Sequence, residues 1–139
     1  MADKLPDDGY HPSEDEQFMS DRHKEFFRRK LLNWKSDILQ EAKETISYLQ
    51  SEHENHPDAT DRATSETDRA IELRARDRQR KLISKIEAAI ARIDDGSYGF
   101  CEETGEPISL KRLIARPIAT LSIEAQERHE KAEKVHRDD

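Results

Sequence analysis

The chain has 139 residues, 40% of them charged and 33% hydrophobic, with a formal net charge of −7 and a mean hydropathy of −1.07. These proportions exclude a large buried core and suit exposed helices, while the acidic balance speaks against non-specific DNA binding, which needs a cationic face. No run approaches the roughly eighteen apolar residues of a membrane span, and the start Met1-Ala2-Asp3-Lys4 lacks an apolar signal region; with Cys101 alone no internal disulfide forms, so a cytoplasmic location is expected.

Residues 1–14 hold Pro6, Gly9 and Pro12 among acidic residues and read as a flexible arm. A first helix is predicted to begin near Asp15 or Ser20. Its stripe is Phe27, Leu31, Trp34, Ile38, Ala42, Ile46 and Leu49, with steps of three and four that suit a coiled-coil seam. One extra step of four favours a short antiparallel pair over a long supercoil.

The break His56-Pro57-Asp58-Ala59-Thr60-Asp61-Arg62-Ala63 contains the only proline between Pro12 and Pro107, and no glycine lies between Ser13 and Asp95. Two helices joined at one short break fold back on each other, because neither buries its apolar stripe alone. The result is a hairpin over 15–95 with its tip near 56–63. The second helix is expected from about Ala63 to Asp94. Its predicted seam is Ala63, Ala70 and Leu73, then polar Asp77 and Arg80, then Leu82, Ile83, Ile86, Ala89, Ile90 and Ile93. Apolar density thus rises away from the tip.

Gly96 suits the left-handed cap that ends this helix. Residues 96–139 then form a small module, with a short helix from Ser109 to Ala115 and a final helix, capped by Ser122, from Ile123 to about Val135. Phe100, Ile108, Leu110, Leu113, Ile114, Ile118, Leu121 and Ile123 are its predicted core, packed on the hairpin base. Cys101 reads as a small buried member of that core; no second thiol or adjacent histidine supports a nucleophile.

On spacing alone, Asp58 and Asp61 are turn or N-cap carboxylates. His53 and His56 stand beside them, but nothing nearby fixes ligand orientation, so they read as solvated residues rather than a metal site. The run Arg74, Arg76, Arg78, Arg80, Lys81 and Lys85 reads, by itself, as surface ion pairs with Glu72 and Asp77, each worth at most about half a kcal/mol.

Several stretches together go further. They are Phe27-Arg28-Arg29 with Leu31 and Trp34; Asp58-Ala59-Thr60-Asp61-Arg62-Ala63; Glu72-Leu73-Arg74-Ala75-Arg76-Asp77-Arg78-Gln79-Arg80-Lys81-Leu82-Ile83; Tyr98-Gly99-Phe100-Cys101-Glu102; and Arg112-Leu113-Ile114-Ala115-Arg116-Pro117. In order and spacing, from about Phe18 to Lys134, the chain resembles the DksA/TraR family of bacterial RNA polymerase regulators. The resemblance implies a mainly α protein: a long antiparallel coiled-coil hairpin, a small zinc-finger-like module and a C-terminal helix. It implies a monomer, not an enzyme, that binds bacterial RNA polymerase by inserting the hairpin into the secondary channel. There it changes open-complex lifetime, with the alarmone guanosine tetraphosphate as co-effector and without touching DNA or membrane.

Carried over residue by residue, the resemblance implies that Asp58, Asp61 and Ala63 reach toward the polymerase active centre, and that Arg74, Arg78 and Lys81 dock to acidic polymerase surface. Leu82, Lys85 and Arg116 match alarmone-binding positions. Gln126 stands where zinc-type members often have a basic residue, and the exchange removes one charge from the phosphate site. Zinc-type members also carry two Cys-x-x-Cys pairs, where this chain has Cys101, Thr104, Ser122 and Ala125. Two neutral hydroxyls, a methyl and one thiol do not supply tetrahedral zinc ligation, so no zinc is expected. The alternatives are a transcript-cleavage factor with a similar acidic tip, disfavoured because such factors carry a β-rich C-terminal domain, and a coiled-coil adaptor unrelated to polymerase.

Overall fold

With no glycine or proline to interrupt them, the two long charged segments propagate as helices. In the computed structural model, which describes residues 9–55 and 60–138, α1 spans Asp21–Asn55 and α2 spans Thr60–Asp95. The short α3 is Leu110–Ala115 and α4 is Ile123–Asp138. Among the described residues there is no strand, and Phe100 and Pro107 form an isolated antiparallel bridge. The mainly α hairpin architecture is as expected. α2 starts three residues earlier than predicted, and α4 continues past Val135. Of the expected tip, Asp58 and His56 lie outside the described residues; Asp61 and Ala63 fall in the first turn of α2, and His53 near the end of α1, where only the backbone is described.

Cross-helix ion pairs fix the direction of pairing. Arg28 meets Asp94, and seven residues further along α1, Lys35 Nζ lies 3.0 Å from Glu87 Oε1. One helix ascends as the other descends, which is an antiparallel pair. The α1 stripe is as read: Phe27, Leu31 and Ile38 are buried, and Trp34, Ala42, Ile46 and Leu49 half-buried.

The α2 seam needs correction in its distal half. The inward positions are Asp68, Glu72, Ala75, Gln79 and Leu82, half-buried, then Ile86, Ala89 and Ile93, buried. These keep a regular four-three alternation, the repeat a coiled coil requires. The predicted Ala70, Leu73 and Arg80 are on a different register and lie exposed, Leu73 at 57%. Following apolar residue type outward from the base failed because the true distal seam is polar. Packing at the base sets the register there.

At that base α2 ends at Gly96, whose φ of +86° supplies the left-handed cap. The amides of Ser97 and Tyr98 both donate to the Arg92 carbonyl, at 3.0 and 3.1 Å. The chain turns back so that the Tyr98 ring packs on Phe27, centroids 5.4 Å apart. Its buried hydroxyl donates to the Pro117 carbonyl at 2.7 Å. Ile108, Leu110 and Leu113 complete the core, with Ile114, Ile118 and Leu121 packed on it. Phe100 and Ile123, predicted inside, are 37% and 47% exposed: Phe100 lies edge-on against Phe18 instead, and Ile123 opens α4, a helix buried on this side only at Ala125.

The arm expected over residues 1–14 is anchored from Tyr10 onward. The Tyr10 ring packs edge-on against Phe26 and carries the Arg22 guanidinium 4.0 Å above it, while its hydroxyl donates to Glu16. Met19, at φ +53°, is buried. Its amide donates to Nδ1 of the fully buried His23 at 3.2 Å, and Nε2 of that ring faces Glu16 at 3.3 Å. The Tyr10 hydroxyl, the Ser13 amide and His23 together hold the Glu16 carboxyl below its ordinary range. Phe18 and Met19 lie so close to Gly99, itself at φ +92°, that a Cβ there would sit 3.1 Å from either side chain. Glycine is required at this crossing. The sequence gives only single aromatics and one histidine as a signal for this strap, too little to distinguish it from a loose terminus.

Candidate functional site

Among the described residues two concave surfaces use α2, one where the shaft meets the module and one along the shaft itself. The first is a cavity of about 470 Å³ between hairpin base and module. Its floor includes Trp34 of α1. Lys85 and Arg92 enter from α2, Arg112 and Arg116 from α3 and its C-cap, and Gln126 from α4. The loop after α3 closes it, held by the Tyr98–Pro117 bond and by Arg112 Nε, which donates to the Leu121 carbonyl at 2.9 Å. Arg92 also faces Glu102 at 3.9 Å. Four cationic side chains beside an indole make a cavity suited to an anion that also carries a ring.

Of the four residues expected to bind the alarmone, the structure brings Lys85, Arg116 and Gln126 to this cavity. Leu82 does not line it. Leu82 belongs to the second surface, an open groove of about 520 Å³ along α2 that also takes in Leu73, Arg74, Arg78, Lys81 and Lys85. Lys85 therefore borders both. Trp34, Arg92 and Arg112 were not singled out as site residues in the sequence. Nothing in their spacing reveals them, because their convergence depends on the angle at which the module sits on the shaft.

The positions of the zinc pairs form a hydrogen-bonded knot. Cys101 is buried, and its thiol is drawn down to about 6 by the Ser122 amide first, then by the Thr104 hydroxyl and the Thr104 and Glu103 amides. Thr104 Oγ1 also accepts from the Glu106 amide at 3.2 Å. Ser122 Oγ accepts from the Ala125 amide at 3.2 Å and so caps α4. The Ala125 methyl is fully buried. One sulfur, two hydroxyls already used in backbone bonding and a methyl do not fit a tetrahedral zinc. Among the described residues no group of three or more His, Cys, Asp or Glu side chains is placed to hold a metal.

The hairpin and the module each match known proteins. Residues 23–93 match the family described as DnaK suppressor protein DksA, N-terminal domain, and residues 96–131 match the prokaryotic dksA/traR C4-type zinc finger. The chain belongs to the DksA family. It is 69% identical over 130 residues to the RNA polymerase-binding transcription factor DksA of Caulobacter vibrioides, covering 94% of this chain and 92% of that one. The factor of the same name from Escherichia coli K12 is 39% identical over 117 residues, covering 84% and 78%. Among solved structures, transcription factor DksA2 from Pseudomonas aeruginosa superposes with a TM-score of 0.77 at 41% identity, covering 84% of this chain and 90% of that one. The zinc-finger match lies over the very segment whose donor set departs from four cysteines, so DksA family membership and zinc ligation are separable in this chain. No helix among the described residues is long and apolar enough to cross a membrane.

Proposed function

We propose that this protein regulates transcription by binding bacterial RNA polymerase directly, with the hairpin entering the secondary channel and Asp58, Asp61 and Ala63 acting at its inner end. The observation that carries the reading is 69% identity, over 94% of the chain, to a factor named for polymerase binding. The shaft is consistent with it: α1 has 35 residues, about 52 Å at 1.5 Å per residue, far more length than its core needs. Arg74, Arg78 and Lys81 are the docking cations, and the protein works as a cytoplasmic monomer without contacting DNA.

Guanosine tetraphosphate is the co-effector, held with polymerase at the cavity of Lys85, Arg116 and Gln126, with Leu82 alongside. Its phosphates suit the cations and its guanine suits the Trp34 floor. Zinc has no part, and elemental analysis of the purified protein should find none in stoichiometric amount.

The tip provides the test. Asp58→Asn and Asp61→Asn delete charge and preserve shape. Both variants should bind polymerase about as well as the parent yet lose most of their effect on open-complex lifetime at a ribosomal promoter. Normal regulation by both variants would reduce the tip to a solvated turn.

A further inference from the structure

The side of the hairpin that carries the basic cavity continues up the shaft as two rows of opposite charge. Trp34 and Lys85 mark that side, since both line the cavity. From Trp34, steps of three and four lead along α1 to Asp37, Glu41, Glu44 and Tyr48; from Lys85 the same steps lead along α2 to Lys81, Arg78, Arg74 and Ile71. From Asp37 and Lys85 outward every one of these is exposed, Tyr48 at 64% and Ile71 at 52%. The pairs Arg28–Asp94 and Lys35–Glu87 fix the relative height of the two helices. Continued one for one up the shaft, that register puts Glu41 level with Lys81, Glu44 level with Arg78, and Tyr48 level with Arg74.

The rows do not neutralise each other within the chain. Glu44 accepts from the Gln40 amide at 3.1 Å, and Lys81 pairs with Asp77 of its own helix at 3.2 Å. Among the described residues no ion pair joins Glu41 or Glu44 to Arg74 or Arg78. An acidic row beside a basic row at equal heights is complementary to a second copy of itself. A two-fold axis parallel to the shaft lays α1 of each copy over α2 of the other and leaves all heights unchanged. Glu44 of each copy then faces Arg78 of the other. Tyr48 comes over Arg74 and Ile71, where its ring takes a cation and an apolar side chain together. A two-fold axis across the shaft would instead stack acid on acid.

We propose that this face pairs two copies of the chain, shaft against shaft, with both tips pointing the same way. The stripe from position 37 to position 48 is about 16 Å long, short of a standard interface, so the pair is weak, reversible and held largely by charge. Nucleic acid on the basic row would lie against the acidic one, which excludes it as the occupant. Pairing covers Arg74 and Arg78. On the polymerase-binding reading above, on which this consequence rests, the pair is a stored form and the monomer is the form that docks.

Sedimentation of the full-length protein by itself, at low salt, tests the pairing. The parent should pass from monomer to dimer as its concentration rises, and salt at about 0.5 M should reverse this. The double variants Glu41→Lys/Glu44→Lys and Arg74→Glu/Arg78→Glu should each weaken self-association at least about tenfold, because like charges then meet across the pair. Mixed in equal amounts, the two variants should pair with each other, since each supplies the row the other lacks. Every altered residue is exposed, so helix content and melting temperature should be retained and serve as the control for folding. A photocrosslinker at position 48, in a mixture of isotope-labelled and unlabelled copies, should join α2 of the other copy near position 74. A parent that stays monomeric up to about 1 mM, a variant mixture that does not pair, or a crosslink to α1 of the other copy would overturn the proposal. Polymerase is absent from these measurements, so their failure leaves the polymerase-binding reading standing. A parent that pairs but does not bind polymerase would overturn that reading and the stored-form role, and leave the pairing.

Discussion

Cys101 is the one thiol among the four positions that match the zinc pairs of the family. The Ser122 amide, the Thr104 hydroxyl and the Thr104 and Glu103 amides surround its sulfur and bring its pKa from 9.0 to about 6. The sign of the linkage follows. The folded value is depressed, so the thiolate contributes stability fully above the unfolded value and loses it as pH falls toward the folded one. Between about pH 6 and 9 the parent should therefore gain stability relative to Cys101→Ser, and below about pH 6 the gap should close. Melting temperatures across that range, with thiolate absorbance as a direct titration, check it. His23 offers a second test at this scale: His23→Ala strands the buried Met19 amide and should cost about 1–3 kcal/mol in denaturant unfolding. Neither role was legible in advance. Cys101 was expected inside and is, but its hydrogen-bond donors come from Ser122 and Thr104, brought to it only by the folded loop; His23 is one histidine among six, distinguished solely by its burial.

The shaft divides at about Leu82. Toward the base, Ile86 is fully buried, and Ile86→Ala should cost about 2–5 kcal/mol. Toward the tip, Leu73→Ala should change stability by no more than about 0.5 kcal/mol, since the side chain faces outward. Gln79 occupies a true seam position with a polar side chain, so Gln79→Leu should stabilise by about 1 kcal/mol or more. Equilibrium unfolding of the three variants separates the two registers for α2: the one read from the sequence would have made Leu73 costly and Gln79→Leu neutral. The α1 stripe was legible because seven apolar residues keep step in it. The distal α2 seam was not, since Asp68, Glu72 and Gln79 hide the four-three repeat behind polar residue types, and the apolar Leu73 sits one register away.

At the scale of the whole molecule, the family and the hairpin were readable from ordered motifs, whereas the basic cavity was not. Lys85, Arg116 and Gln126 were named together through resemblance, but Trp34, Arg92 and Arg112 join them only because Tyr98 seats the module on Phe27. The long helices meet the rest of the chain at one end, where Tyr98 packs on Phe27 and Phe18 and Met19 lie against Gly99. Because the shaft is rooted at one end, its length magnifies any difference of angle there. An arm about 52 Å long turned through about 5° at its root sweeps its far end by roughly 4.5 Å, the span of a water molecule and a hydrogen bond. The cavity lined by Lys85 and Arg116 lies beside that root, where the same rotation displaces atoms least. The seam is buried at Ile86, Ala89 and Ile93 and polar and half-buried at Asp68, Glu72 and Gln79, so the angle at which the shaft leaves the module is set from its base.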